Sequence, residues 1–330
     1  FDVDTFIFTA YTASPYIKTI SIQSDGKVIA AGLFTDYSGV SKNDIVRLNT
    51  DASIDNTFNI GTGFGYGEML SSAIQSDGKI LIGGYFNDYS GYSCDNIIRL
   101  NSNGSVDTTF TATTDYPLGF VYDLSIQNDG KILIAGSFTQ VNGISKSGLA
   151  RLNTDGSIDN TFNATGITFV SSIYLQSDGK ILTNADGEIK RFNSNGTNDN
   201  TLTIGSFSGQ VFSVIQLSSG KIAAGGQFTS YSGSSANRFV ILNSGGTIDN
   251  TSNIGTGFNN DVQEIKQLSN GDIIAVGNFT QYNGYQANRI VRLKSDGTFN
   301  NCPAPLKTTR SLVPATSAEI TPSESTILML

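Results

Sequence analysis

At 330 residues, 15% charged and with a net charge of −8, the chain is long enough for two ordinary domains, and its acidity without a basic cluster argues against nucleic acid and anionic membranes. It holds no histidine and no tryptophan, which excludes Ser-His-Asp and Cys-His catalysis and any histidine-ligated metal site. No apolar run approaches the roughly 18 residues of a membrane helix, so membrane insertion is not expected.

In chain order, residues 1–8 come first. Residues 1–27 align with residues 53–79, placing Thr5-Phe6 on Thr57-Phe58, so the N-terminus reads as a fourth strand without its first three. Neither an initiator Met nor a signal-peptide pattern precedes it, and the chain is read as processed or as a fragment. A glycine-centred turn then occurs in six copies, with glycines at Gly26, Gly78, Gly130, Gly179, Gly220 and Gly271, spaced 52, 52, 49, 41 and 51 residues apart. A period in this range marks a solenoid, propeller or array whose units must stack to bury their faces.

The second copy displays the predicted unit. Residues 70–75 form a first strand, turned by Asp77-Gly78. Residues 79–84 form a second, apolar on both faces and therefore expected to be covered on both sides. A loop over 86–94 leads to a third strand at 96–100, and Asn103-Gly104 turns into a fourth at 105–110. Four short antiparallel strands make a propeller blade. In the fourth copy the long loop is replaced by Asp186-Gly187. The sixth copy runs through Cys302 into Pro303, which cannot donate to a sheet ladder, so the N-terminal strand is expected to complete the last blade. The fold expected is all-β: a six-bladed β-propeller of four-stranded antiparallel blades over 1–302, its ring closed by the N-terminal strand. Residues 303–330, rich in Pro, Ser and Thr, read as a tail or linker. Cys94 and Cys302 occupy non-equivalent repeat positions and do not form a regular disulfide framework.

The recurring Gln-Ser-Asp-Gly-Lys-Ile, Gly-x-Phe-Thr and Arg-Leu-Asn-x-Asp-Gly-Ser-Ile-Asp-x-Thr-Phe segments resemble the delta-60 β-propeller repeat family over nearly all of 1–302, with the fourth copy as the main departure. The resemblance implies a propeller, a setting in bacterial surface or secreted proteins or phage structural proteins, and no shared catalytic residues.

Four constellations are candidates for chemistry. Asn153, Asp155 and Asp159 stand at positions 1, 3 and 7 around a Gly turn, a spacing like that of a calcium loop. The other copies erode it, with Gly245 and Lys294 at ligand positions, so a plain hairpin explains it better and no metal or other cofactor is expected. Gly61-Thr62-Gly63-Phe64-Gly65 lacks the lysine and following helix of a phosphate loop. Carboxylate pairs leave room for a glycan hydrolase, but most aspartates repeat at turns, so the chain is expected not to be an enzyme. Finally, Tyr37, Tyr89, Tyr231 and Tyr282 share one position in the long loop, with Val141 in the third copy, and Tyr92 and Tyr285 lie just beyond. Together they read as a binding rim, or as rings packed on neighbouring repeats with their hydroxyls on backbone. The function expected is a non-enzymatic structural or interaction module of an extracellular or virion assembly, such as a phage appendage, with protein partners. The alternative is a carbohydrate-binding adhesin or receptor-binding propeller, with a surface glycan as partner.

Overall fold

The computed structural model describes residues 15–300 and the backbone of residues 8 and 9, and every regular element among them is a β-strand. The chain divides into two compact units, one up to Ile204 and one from Gly205. The first unit holds repeats one to four and the second holds repeats five and six.

Each repeat forms one three-stranded antiparallel sheet with its second strand in the middle. In the first unit these are Tyr16–Ile22, Val28–Leu33 and Ile45–Leu48; Gly67–Ile74, Ile80–Phe86 and Ile97–Leu100; Val121–Ile126, Ile132–Gly136 and Leu149–Leu152; and Val170–Leu175, Ile181–Ala185 and Glu188–Phe192. The second unit has Val211–Gln216, Ile222–Gly226 and Phe239–Leu242, then Val262–Gln267, Ile273–Gly277 and Ile290–Leu293. Every first strand carries a bulge near its start, as at Met69/Ser71 and Val121/Asp123.

The expected fourth strand is reduced to single bridges, among them Leu48↔Ile54, Leu100↔Val106 and Leu152↔Ile158. The Asp-x-Thr-Phe segment that follows is a turn, a correction with a clear cause. Asp107 Oδ1 accepts the Thr109 amide (3.1 Å) and hydroxyl (2.6 Å), and the Phe110 amide donates to the Asp107 carbonyl at 3.2 Å. An Asp side chain that captures the backbone two residues on competes with the ladder and wins here.

The second strands are buried on both faces, and this explains their continuous apolar character. Ile80 and Ile82 join a core with Ile29, Ala31 and Ile45 of the first repeat, while Leu81 joins one with Ile132, Ile134 and Ala150 of the third. Leu133 and Ala135 then pack with Val170, Ile181 and Phe192 of the fourth. Alternate residues of a strand point to opposite faces, so each core lies between successive sheets.

The two ends of the strands differ. At one end lie the short Asp-Gly turns. At the other lie hairpins such as Asp88–Tyr89 with Tyr92–Ser93, and the crossovers between repeats. In the fourth repeat the second and third strands are joined directly at Asp186-Gly187, as expected, and the hairpin is absent. Phe8 and Thr9 pair with Tyr37 and Asp36 of the first hairpin. Residues 1–7 and 301–330, which include the proposed closing strand, Cys302 and the tail, lie outside the described residues.

Candidate functional site: an aromatic surface in the first unit

The residues that recur in every repeat serve the fold. At the Asp-Gly end, Asp107 Oδ2 accepts from Lys79 Nζ at 2.9 Å and Arg99 Nε at 2.7 Å. The same three-residue cluster forms around Asp55, Asp159 and Asp199. Burial alone would raise these carboxyls, but the hydrogen bonds from lysine and threonine and the adjacent arginine outweigh it and hold them well below the usual range. Arg47, Arg99 and Arg151 also lie over Phe58, Phe110 and Phe162, at 4.8, 4.7 and 4.9 Å from the ring centroids. Each donates onward to a carbonyl of the next repeat, at Ser102, Thr154 and Ser194. The cluster thus joins three separate sequence motifs and two successive sheets. The sixth repeat inverts it: Asp272 replaces the lysine, Asn300 replaces the aspartate, and Arg292 still finds its carboxylate at 2.7 Å.

The tyrosine series is built the same way. Tyr37, Tyr89, Tyr231 and Tyr282 are buried. Their hydroxyls donate to the carbonyls of Ala52 (3.0 Å), Gly104 (2.8 Å), Gly246 and Gly297, always fifteen residues on. In the third repeat, where Val141 stands in the series, Asn142 Nδ2 reaches the Gly156 carbonyl instead, at 3.0 Å. These four rings cannot form a rim, because a phenol that closes a loop onto the next turn has no free face. Tyr92 and Tyr285 remain exposed, and Tyr285 stacks on Phe299 at 4.8 Å.

The calcium-like spacing resolves into turn chemistry. Asp155 Oδ1 accepts the Ser157 amide and hydroxyl at 2.9 and 2.7 Å, while Asn153 Nδ2 donates to Ser157 Oγ. Asp159 is held by Lys131 and Arg151. Asn153 and Asp155 therefore share Ser157 as their local partner, while Asp159 faces Lys131 and Arg151.

A group of aromatics that the repeat pattern does not announce lies at the opposite end of the strands. Tyr85 ends the second strand of repeat two and is its hub. It stacks on Tyr116 at 5.4 Å and 18° and on Phe120 at 4.6 Å and 23°, and Tyr66 meets it at 6.3 Å and 78°. Phe120 continues to Tyr122 at 5.7 Å, and Tyr122 meets Phe169 of repeat four edge-on at 5.3 Å. Tyr66 is 69% exposed and Leu118 77%, and the other five rings are half-buried.

Local sequence explains the placement. Phe120 and Phe169 stand just before their first strands, at the position held by Tyr16 and Glu68 in repeats one and two, and Glu68 is the cross-strand partner of Tyr85. Tyr122 is the bulged residue between Val121 and Asp123, turned off the regular pleat. The loop carrying Tyr116 is fixed by Asp115, whose carboxylate accepts the Thr139 amide and hydroxyl at 3.0 and 2.6 Å. Tyr16 donates its hydroxyl to Glu68 Oε1 at 2.8 Å, and burial together with that carboxylate pushes the phenol up to about 12. Burial and then Glu68 raise Tyr122 as well. A carboxylate thus stands beside three phenols, Tyr16, Tyr85 and Tyr122, on a pre-stacked surface. The signal available in the sequence was a contrast: Tyr85 stands where other repeats have Leu33, Ser137, Gln227 and Asn278.

A profile described as a domain of unknown function (DUF5122) beta-propeller matches residues 23–58, 75–110, 127–162, 217–251 and 268–301, more than half of the chain, and passes over the fourth repeat. No curated protein matches in sequence. Among solved structures, the chain is similar to virginiamycin B lyase from Staphylococcus aureus, with 16% identity over 93% of this chain and 87% of that one and a TM-score of 0.55. It is also similar to a catalytically inactive histidine-to-alanine variant of that lyase with quinupristin, at 15% identity over 92% and 89% and a TM-score of 0.53. A third is the extracellular domain of a putative one-component system from B. thetaiotaomicron, at 13% identity over 88% of this chain and 40% of that one, with a TM-score of 0.50.

These likenesses are of fold, and they correct one expectation. The inference that such a propeller is not an enzyme is overturned by the lyases, which carry catalysis on a similar architecture. Loss of one histidine inactivates the Staphylococcus lyase, and this sequence contains no histidine. By the match of its repeats, the chain belongs to the DUF5122 beta-propeller family.

Proposed function

We propose that the chain is an extracellular recognition module, a rigid propeller that presents the crossover end of its first unit to a partner in a larger assembly. A virion appendage is one setting for it, in keeping with the delta-60 repeats its sequence resembles, with 303–330 as a tether. On this reading the ring has six blades, each three strands and a bridged fourth segment, closed by the N-terminus. The pairing Phe8↔Tyr37 supports closure, because Phe64, Phe207 and Phe258 bridge to Tyr89, Tyr231 and Tyr282 in the same way just after a fourth segment.

The observation that carries the reading is the aromatic surface. It departs from the repeat pattern, and its rings are ordered in advance by mutual stacking. Exposed aromatics of this kind anchor interfaces. To test it, the fluorescently labelled chain is bound to bacterial envelope fragments and compared with a Tyr66→Ala/Tyr116→Ala double variant. A loss of at least tenfold, with Asp25→Ala/Asp77→Ala at the opposite end binding normally, is the expected result. The reverse pattern would remove the crossover end as the recognition face.

A further inference from the structure

We propose that the aromatic surface centred on Tyr85 binds a glycan that carries no carboxylate, sulfate or phosphate group. The proposal rests on the recognition reading above and names the ligand class for that site.

The first argument is shape. Six rings, Tyr66, Tyr85, Tyr116, Phe120, Tyr122 and Phe169, form a continuous chain of contacts of 4.6–6.3 Å across repeats two to four. Neighbouring rings occupy much of Tyr85, Phe120 and Tyr122. Tyr66, at 69% exposure, keeps an open ring, and Tyr116 sits at the outer edge of the stack. Sugar rings present one face of C–H groups, which packs on an open aromatic face, and their hydroxyls require polar partners at the edge.

The second argument is polarity. Four of the six rings are tyrosines, and Glu68 with the Tyr16 hydroxyl stands beside them, its pair already formed at 2.8 Å. Phenols and a carboxylate at the edges of apolar faces match alternating C–H and O–H surfaces. A purely apolar partner would leave them unpaired, at a desolvation cost.

The third argument is charge. Burial and then Glu68 raise the phenols of Tyr16 and Tyr122, while Tyr116 is raised first by its hydrogen bond with Tyr85 and only last by Asp95. Among the charged groups that reach these rings, the carboxylates set a negative potential, and the whole chain carries −8. An anionic polysaccharide would be repelled from this surface.

The fourth argument is rigidity. The rings stack on each other and the Asp115 carboxylate pins the loop beneath Tyr116, so little side-chain freedom is lost on binding. Small, weakly held ligands depend most on that saving.

The test uses the full chain. Cellohexaose, maltohexaose and polygalacturonate are titrated by calorimetry against the wild type and Tyr66→Ala/Tyr116→Ala, and envelope binding is measured before and after periodate, which cleaves vicinal diols. The expected result is that a neutral hexaose binds, the double variant binds it at least tenfold more weakly with an unchanged melting temperature, polygalacturonate does not bind, and periodate abolishes envelope binding. The glycan assignment is overturned if neither neutral hexaose binds and envelope binding survives periodate, or if polygalacturonate binds as tightly as they do. If periodate-resistant envelope binding still requires Tyr66 and Tyr116, the site stands and its ligand is not a glycan with vicinal diols. If envelope binding ignores both tyrosines, the recognition face itself is wrong.

Discussion

The two ends of the strands obey different rules. At the Asp-Gly end, residues that keep their repeat position, such as Lys79, Arg99 and Asp107, form the same buried ionic cluster again and again. At the crossover end of the first unit, residues that break the repeat, such as Tyr85, Tyr116 and Tyr122, form one half-exposed surface that occurs once. The tyrosines sharpen the contrast. Tyr89 keeps its repeat position and is buried, whereas Tyr66 does not and is exposed. Periodicity marks the residues that stack the units at positions such as Tyr89, although Tyr92 and Tyr285 also repeat and are exposed; in the first unit the aromatic surface is made by residues that break the pattern.

The largest expected effect comes from the ionic end. Asp107→Ala leaves Arg99 and Lys79 without their carboxylate, and Arg99 is 6% exposed. Urea unfolding should show a loss of about 3–5 kcal/mol, the range for breaking a buried pair from one side. The inverted sixth repeat supplies a second test. Asp272→Lys alone places a second cation beside Arg292, while Asp272→Lys with Asn300→Asp rebuilds the arrangement of the first four repeats and should recover most of the lost stability.

Much of this end was legible in the sequence, because the motifs containing lysine, arginine and aspartate recur together. Their joining into one cluster was not, since the partners are 8 and 28 residues apart along the chain. The fourth strand was misread for a related reason: Asp-x-Thr-Phe looks β-prone, but its aspartate turns the backbone. At the crossover end the residues of the aromatic surface were not legible. The loop tyrosines drew attention by repeating, which is the property that ties them to packing. Tyr85 and Phe120 come together only through the pairing of strands and the stacking of sheets.

Next in size is Tyr89→Phe. It strands the Gly104 carbonyl in a buried site and should cost about 1–2 kcal/mol, whereas Tyr66→Ala should change stability by less than about 0.5 kcal/mol.

Asp44 gives a pH-dependent test. It occupies the position of Asn96, with φ of 66° against 64°, and burial raises its carboxyl to about 6 despite the hydrogen bond from the Phe34 amide. A raised folded value means that the folded state holds its proton longer, so this residue's contribution falls as pH rises from about 4 to about 6. Asp55, Asp107, Asp159 and Asp199 have the opposite sign, and their stabilisation is lost as pH falls below about 4. Asp44→Asn should therefore flatten the stability profile between pH 4 and 6 and add about 1 kcal/mol at pH 7, after discounting for partial exposure.

The smallest effect is expected at Ala52, which holds φ of +66° where the five other repeats place Gly104, Gly156, Gly196, Gly246 and Gly297. Ala52→Gly relieves a left-handed alanine at some cost in chain entropy, for a net gain of about 0.5 kcal/mol in urea unfolding.

The central claim is the division of the tyrosines between core and surface, and limited nitration of the native chain with tetranitromethane, followed by peptide mass spectrometry, tests it most directly. The account predicts early modification of Tyr66 and Tyr116, with Tyr37, Tyr89, Tyr231 and Tyr282 modified only after unfolding. Equally rapid nitration of Tyr89 or Tyr282 in the folded chain would contradict it.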